Sequence, residues 1–259
     1  MALSACGAAD RAKDAVDPVA QAAEVTQNSG TAAVTFHGRV VVGGKTVSID
    51  GQGVIDTRDG NHARMSFRLG GQRGELQEIF AGKTLYLGGS LMKRGLPPGK
   101  SWAKLDLRKV AVETGTGTSN LDGGGGSSAS ELLRYLRGAG SVRKEDSEKV
   151  AGASTTHYHA VADLAKLADE RGDKNFAASM RRLRTQVDGP VTLDVWIDAA
   201  HRVRQEKVAY AMQSNGKRAG FAFTMQFTRF GVPIKLDTPP KDDVRDVTDE
   251  VVRQIRRSP

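Results

Sequence analysis

The sequence has little cysteine and few aromatic residues. Its single cysteine, Cys6, among 259 residues leaves nothing for an intrachain disulfide and excludes a multi-cysteine zinc or iron–sulfur centre. Aromatics make up 5% of the chain, which argues against a platform that stacks bases or sugars. No apolar run reaches the roughly 18 residues that a membrane-crossing helix needs. No serine stands in a Gly-x-Ser-x-Gly elbow, so acyl hydrolysis has no support. The glycine run Gly123–Gly126 does not end in Gly-Lys-Ser/Thr and adjoins no apolar strand, which sets aside a phosphate-binding loop.

What the chain has in excess is glycine, 30 residues. Glycine serves tight turns and flexible linkers. The formal charge is +8, but acidic and basic residues alternate almost everywhere. Interleaved charge reads as a solvated surface rather than a nucleic-acid footprint, and nucleic acid is not expected as a partner.

Alternating apolar residues mark strands. Ala32, Val34 and Phe36 share one face, and Gly43-Gly44 reads as a hairpin turn. Val47–Ile55 follows, then a turn at Asp59-Gly60, then Met65, Phe67 and Leu69, a turn at Gly70-Gly71, Glu75–Phe80 and Thr84–Leu87. Leu91–Lys100 is a loop and Ser101–Leu107 a sixth strand. Later strands are expected at Ser141–Val150, Thr155–Leu164, Val191–Asp198, Arg202–Met212 and Ala219–Phe230, with turns at Asp188-Gly189 and Asn215-Gly216. Closely spaced strands joined by glycine turns indicate antiparallel sheet rather than βαβ units. Helices are expected at Pro18–Gln27, at Ala129–Gly138 with Leu132, Leu133 and Leu136 on one face, and at Asn175–Val187 with Phe176, Met180, Leu183 and Val187 at helical spacing.

No repeat or compositional break divides the chain. The fold class read here is mainly β with helices (α+β): a single curved antiparallel half-barrel sheet with helices packed on the concave face. The expected organisation is an N-terminal tether and helix over 1–29, the half-barrel over 30–240 with a Gly/Ser-rich flexible loop at 115–130, and a polar tail with a short helix over 241–259.

Leu3-Ser4-Ala5-Cys6, followed by Gly7, resembles a bacterial lipobox, in which the cysteine thiol carries a diacylglyceryl group. Only Met1 and Ala2 precede it, without the basic and apolar parts of a secretory signal peptide, so either the start is truncated or the motif is chance. The native molecule would carry two or three acyl chains, palmitate among those such anchors use, enough for stable anchoring. Three further stretches join it in order. They are Gly99-Lys100-Ser101-Trp102-Ala103-Lys104-Leu105-Asp106, then Thr155–Leu164 with His157-Tyr158-His159, then Val195-Trp196-Ile197-Asp198 leading into His201-Arg202-Val203-Arg204-Gln205. Together they resemble the actinobacterial LppX/LprAFG-type lipoproteins of LolA-like fold, over roughly residues 28–250.

That resemblance implies about eleven antiparallel strands and helices that close over an apolar cavity. It also implies a place on the outer face of the cell membrane and a non-enzymatic role in binding or carrying lipids and lipid-linked glycans in the cell envelope. It transfers no ligand-contact residue by position. The residues themselves supply candidates: Phe36, Met65, Phe67, Leu85 and Leu87 from strands, and Leu132, Leu133, Leu136, Phe176, Met180 and Leu183 from helices. Each could equally fill a solid core. Arg181 and Arg184 are candidates for an anionic head group. His157 and His159 sit on one strand face, but two ligands do not make a zinc site, and Asp169-Glu170 reads as a solvated pair. No catalytic residue, cofactor or metal is expected. The competing reading is an envelope scaffold lipoprotein with a filled core and a protein partner on its convex face.

Overall fold

The computed structural model describes residues 17–58, 62–70, 74–114, 129–169, 174–214 and 217–257. Cys6, the turns at Asp59-Gly60 and Asn215-Gly216, Gly71, Glu170, the loop 115–128 and the side chain of Leu132 lie outside the described residues.

The chain opens with α1 (Pro18–Gln27), the span expected from the sequence; Asp17 Oδ1 accepts from the Val19 amide at 2.9 Å and Pro18 stands in the first turn, and both favour a helix start. Six strands follow as a meander: β1 (Thr31–Val42), β2 (Lys45–Asp56), β3 (His62–Leu69), β4 (Leu76–Ala81), β5 (Thr84–Gly88) and β6 (Trp102–Asp106). Gly43 and Gly44 both take positive φ, 56° and 77°, which the two-residue β1–β2 turn requires and other residues adopt only with strain. The short helix α2 (Ser90–Lys93) precedes β6, and α3 (Leu107–Thr114) and α4 (Ala129–Arg137) follow it. Then come β7 (Ala139–Val150), β8 (Ala153–Ala162), α5 (Leu164–Ala168), α6 (Lys174–Gln186), β9 (Thr192–Asp198), β10 (Val203–Ser214) and β11 (Lys217–Phe230). The chain closes with β12 (Val244–Asp246) and α7 (Thr248–Arg257).

Twelve strands form one curved, unclosed sheet in the order β12-β6-β5-β4-β3-β2-β1-β11-β10-β9-β8-β7. The mainly-β α+β fold read from the sequence is the fold observed. Long-range pairing of β1 with β11 joins the two meanders, from Ala32↔Phe230 to Val42↔Ala219.

Three local readings need correction. The sheet has twelve described strands rather than eleven, because β12 adds parallel to β6 through Val244↔Trp102 and Asp246↔Lys104. This segment falls in the stretch expected as a polar tail; its edge position and the Lys104–Asp246 ion pair at 3.1 Å explain its polar composition. Leu107 starts a helix rather than ending a strand. Leu107 and Val110, both buried, are the i, i+3 pair that turns inward. The loop after Gly89 contains α2, too short to show a period.

α1 packs on α4 and on β7, β9 and β10; α6 packs on α5 and β10; α2 touches β4, β5 and β6, and α7 packs on α3 and β6. The small residues Ala22 and Ala23 let α1 approach closely, and both are fully buried. Thr26 Oγ1 accepts from the Val203 amide at 2.7 Å and so ties α1 to the start of β10. The edge strand β7 is mostly exposed and half of its residues are charged, which guards it against pairing with another chain.

Candidate functional site: the concave face

Residues paired directly across an antiparallel sheet share a face. One row on the concave face runs Tyr158–Val195–Glu206–Met225–Phe36–Gly51–Phe67–Leu76. A second runs Phe227–Val34–Gly53–Met65–Glu78–Leu87–Ala103. A third runs Leu193–Val208–Phe223–Gly38–Ile49–Leu69. The rows are apolar except at Glu206 and Glu78. The opposite face carries Trp196–Gln205–Gln226–Thr35–Gln52–Ser66–Gln77 in register and is polar.

Most of the sequence-nominated lining residues meet here. Phe36, Met65, Leu85, Leu133, Leu136, Phe176 and Met180 belong to one buried cluster with α1 and β9–β11, and Phe67, Leu87 and Leu183 pack against it half-buried. Phe176 and Met180 are enclosed, with the Arg134 guanidinium 3.5 Å above the Phe176 ring. The burial is uneven along the rows. Leu193, Val195 and Val208 are wholly covered by helices, whereas Ile49, Phe67, Leu87, Tyr210 and Phe223 remain half-buried. Around Phe36 the aromatics form a strip, Phe67 edge-on at 6.1 Å and Phe223 stacked at 5.9 Å. A side chain at Gly51 would meet Phe67 Cδ1 at 2.5 Å, so the missing Cβ lets that ring lie down on the sheet.

Neither acid on this face, the buried Glu206 or the half-buried Glu78, was singled out from the sequence. Glu206 has no solvent exposure, and neither of its carboxyl oxygens has a hydrogen-bond partner. Burial alone pushes its proton affinity well above the ordinary carboxylate range. Glu78, between Met65 and Leu87, is pushed up to about 7 by the same cause. The readable signal was a break in alternation: Leu76/Glu78/Phe80 and Glu206/Val208/Tyr210 each put one acid on an otherwise apolar face.

The nominated arginines lie elsewhere. Arg181 donates to the Ala168 carbonyl at 2.9 Å and caps the end of α5. Arg184 is exposed beside a surface cleft of about 460 Å³ bordered by Gly140, Asp163, Val187 and Pro190. The motif histidines also have a structural explanation: His157 Nε2 and His159 Nδ1 both lie on Asp194 Oδ1, at 3.1 and 2.9 Å, and His157 stacks on Trp196. Among the described residues no group of three or more His, Cys, Asp or Glu could hold a metal, and no helix is long and apolar enough to cross a membrane. Asp198 fastens the β9–β10 turn by accepting from the Ala200 and Arg202 amides at 2.9 and 3.0 Å and from the Arg202 guanidinium. His201 in that turn adopts φ 57°.

No family model and no curated protein matches the sequence. Among solved structures, the chain is similar to LprF from Mycobacterium bovis, at 10% identity over 86% of this chain and 95% of that one, with a TM-score of 0.43. It is similar to the Mycobacterium tuberculosis lipoprotein LppX at 14% identity, over 86% and 100% of the two chains, with a TM-score of 0.46. A LolA superfamily protein from Nitrosomonas europaea follows at 10% identity, over 87% and 99%, with a TM-score of 0.32. LprF and LppX fall within the lipoprotein type that the sequence motifs resemble.

Proposed function

We propose that this protein binds a lipid or lipid-linked glycan against the concave face of its sheet and acts as a non-enzymatic carrier or receptor. The observation that supports this is the half-buried apolar strip of Ile49, Phe67, Leu87, Tyr210 and Phe223, which stays in contact with the core without being covered by it. A filled sandwich would bury such side chains fully, and each, being half-buried already, would gain about half of the roughly 1.5–3 kcal/mol that full burial is worth. Leaving them half-open is useful where acyl chains complete the packing. The lipobox-like Leu3–Cys6 segment supports an extracytoplasmic site of action, with a diacylglyceryl anchor on Cys6 holding the molecule at the outer face of the membrane.

The test is mass spectrometry of an organic extract from protein purified without detergent from an actinobacterial host. A stoichiometric lipid or lipoglycan supports the carrier reading and gives its class. A clean extract from folded, monodisperse protein moves the function to the scaffold reading. That reading draws on the convex face, where the segment 231–240 crosses from β11 to β12. There Pro233, Ile234 and Asp237 border a cleft of about 650 Å³ with Thr35, Gln52 and Ser66.

A further inference from the structure

We propose that Glu206 is the polar anchor of the concave site and hydrogen-bonds an uncharged ester carbonyl or hydroxyl near the head of an acyl lipid. This rests on the lipid-binding reading and specifies which part of the ligand the protein recognises. Glu206 stands on β10 with Val195 and Met225 as its direct neighbours. It is wholly buried, and both carboxyl oxygens lack a partner. Buried polar atoms without partners are rare in folded proteins and costly, and each calls for an explanation. A purely structural residue here would be apolar, as every other member of its row is.

The helices place Glu206 between two contacts. α1 reaches β10, with Thr26 bonded to the Val203 amide, and α6 also packs on β10. Glu206 lies three residues from Val203, about 10 Å along the strand. The aromatic strip begins on the neighbouring strand with Phe223 in the adjoining row, and continues with Phe36 two strands away in the same row and Phe67 beyond it. An acyl chain lying on that strip can therefore bring its head toward Glu206.

The chemistry selects the group. With no cation to balance it, burial favours the protonated, uncharged form of the carboxyl. A neutral carboxyl donates one hydrogen bond and accepts others. An ester carbonyl or a glycerol hydroxyl matches it without bringing a charge into the core. A phosphate would bring one, and no basic partner stands in these rows to balance it.

The experiment uses diphenylhexatriene, a fluorescent hydrocarbon with no hydrogen-bonding group, as the bound probe and 1,2-dioleoylglycerol as competitor. Wild type, E206M, E206L and E206Q are compared. E206M is unbranched and close to glutamate in volume, so it serves if E206L packs badly. The expected result is equal probe binding in all four and about tenfold weaker displacement by dioleoylglycerol in E206M and E206L, the size of one hydrogen bond. E206Q, which still donates and accepts, should stay within about threefold of wild type. The melting temperatures of E206M and E206L should rise by several degrees as the unpartnered carboxyl goes. Equal displacement in wild type, E206M and E206L overturns the anchor while leaving the lipid site standing. Loss of probe and competitor together in variants that melt cooperatively also overturns it, since the side chain would then only shape the core. If wild type binds neither the probe nor dioleoylglycerol, the lipid site fails along with its anchor.

Discussion

The two halves of the concave face are built from the same alternating pattern and finish differently. Across β9, β10 and β11, Leu193, Val195, Val208 and Phe227 are buried in the cluster that α1, α4 and α6 complete, with Tyr210 and Phe223 half-buried at its margin. Across β2–β5, Ile49, Phe67 and Leu87 carry the same apolar character but stay half-buried. The difference lies in the cover. A period of two fixes which residues share a face, and helices from distant parts of the chain decide how far that face is removed from water. The covered half is the framework and supplies Glu206, and the open half is where the account places the ligand's acyl chain.

The largest contrast should come from truncating one side chain in each half. Leu136→Ala and Met180→Ala remove enclosed side chains and should each cost about 2–5 kcal/mol. Phe67→Ala, half-buried, should cost under about 2 kcal/mol yet weaken lipid binding. Urea midpoints paired with probe titrations separate the two. Equal destabilisation in both halves would erase the distinction.

A somewhat smaller effect follows from Glu78, whose folded-state proton affinity sits at about 7 against an ordinary value of 4.5. The raised folded value means that its contribution is fully present below about pH 4.5, declines as pH rises, and is gone above about pH 7. The loss amounts to about 3 kcal/mol between those limits. Glu78→Gln should reduce the slope of that part of the stability–pH curve, leaving the contribution of Glu206, as measured by urea midpoints at intervals from about pH 4.5 to 8. A variant with the wild-type slope would show that another group carries it.

Gly51→Ala comes next. The added Cβ would lie 2.5 Å from Phe67 Cδ1, so the ring must swing off the sheet. A cost of about 1–3 kcal/mol is expected, with an altered near-ultraviolet signal and weaker probe binding from the open half. The smallest effect should come from the other face. His37 and Asp50 pair at 2.6 Å but are more than half exposed, and Asp50→Asn should change stability by under about 1 kcal/mol and leave probe binding unchanged. A change in binding would place a ligand contact on the convex face.

Much of the fold was readable because its signals are local. The α1 span, Pro18–Gln27, was expected and is held by a cap and a first-turn proline next to it in sequence, and the β1–β2 turn was marked by Gly43-Gly44. Residues 241–257 hid a strand and gave only a hint of a helix, because β12 is three residues of edge strand held by its pairing to β6, a contact some 140 positions away in sequence. The candidate site was half legible. Alternation found Phe36, Met65 and Phe67, but could not say that Phe176 and Met180 would be sealed while Phe67 stayed half-open. The two acids were visible as interruptions, yet a glutamate in a strand reads as solvent-facing until the register shows its neighbours to be Val195 and Met225. The motif residues carrying the family resemblance, His157, His159 and Asp198, turn out to hold strands and turns together. They therefore identify a framework better than a ligand.

The most direct test of the account is native mass spectrometry of delipidated protein after incubation with glycerolipid vesicles, for wild type and Phe67→Asp. The account predicts one lipid adduct on wild type and none on the variant, with both giving the same cooperative melt. Absence of an adduct on wild type, or an equal adduct on both, would contradict the claim that the open half of the concave face is the lipid site.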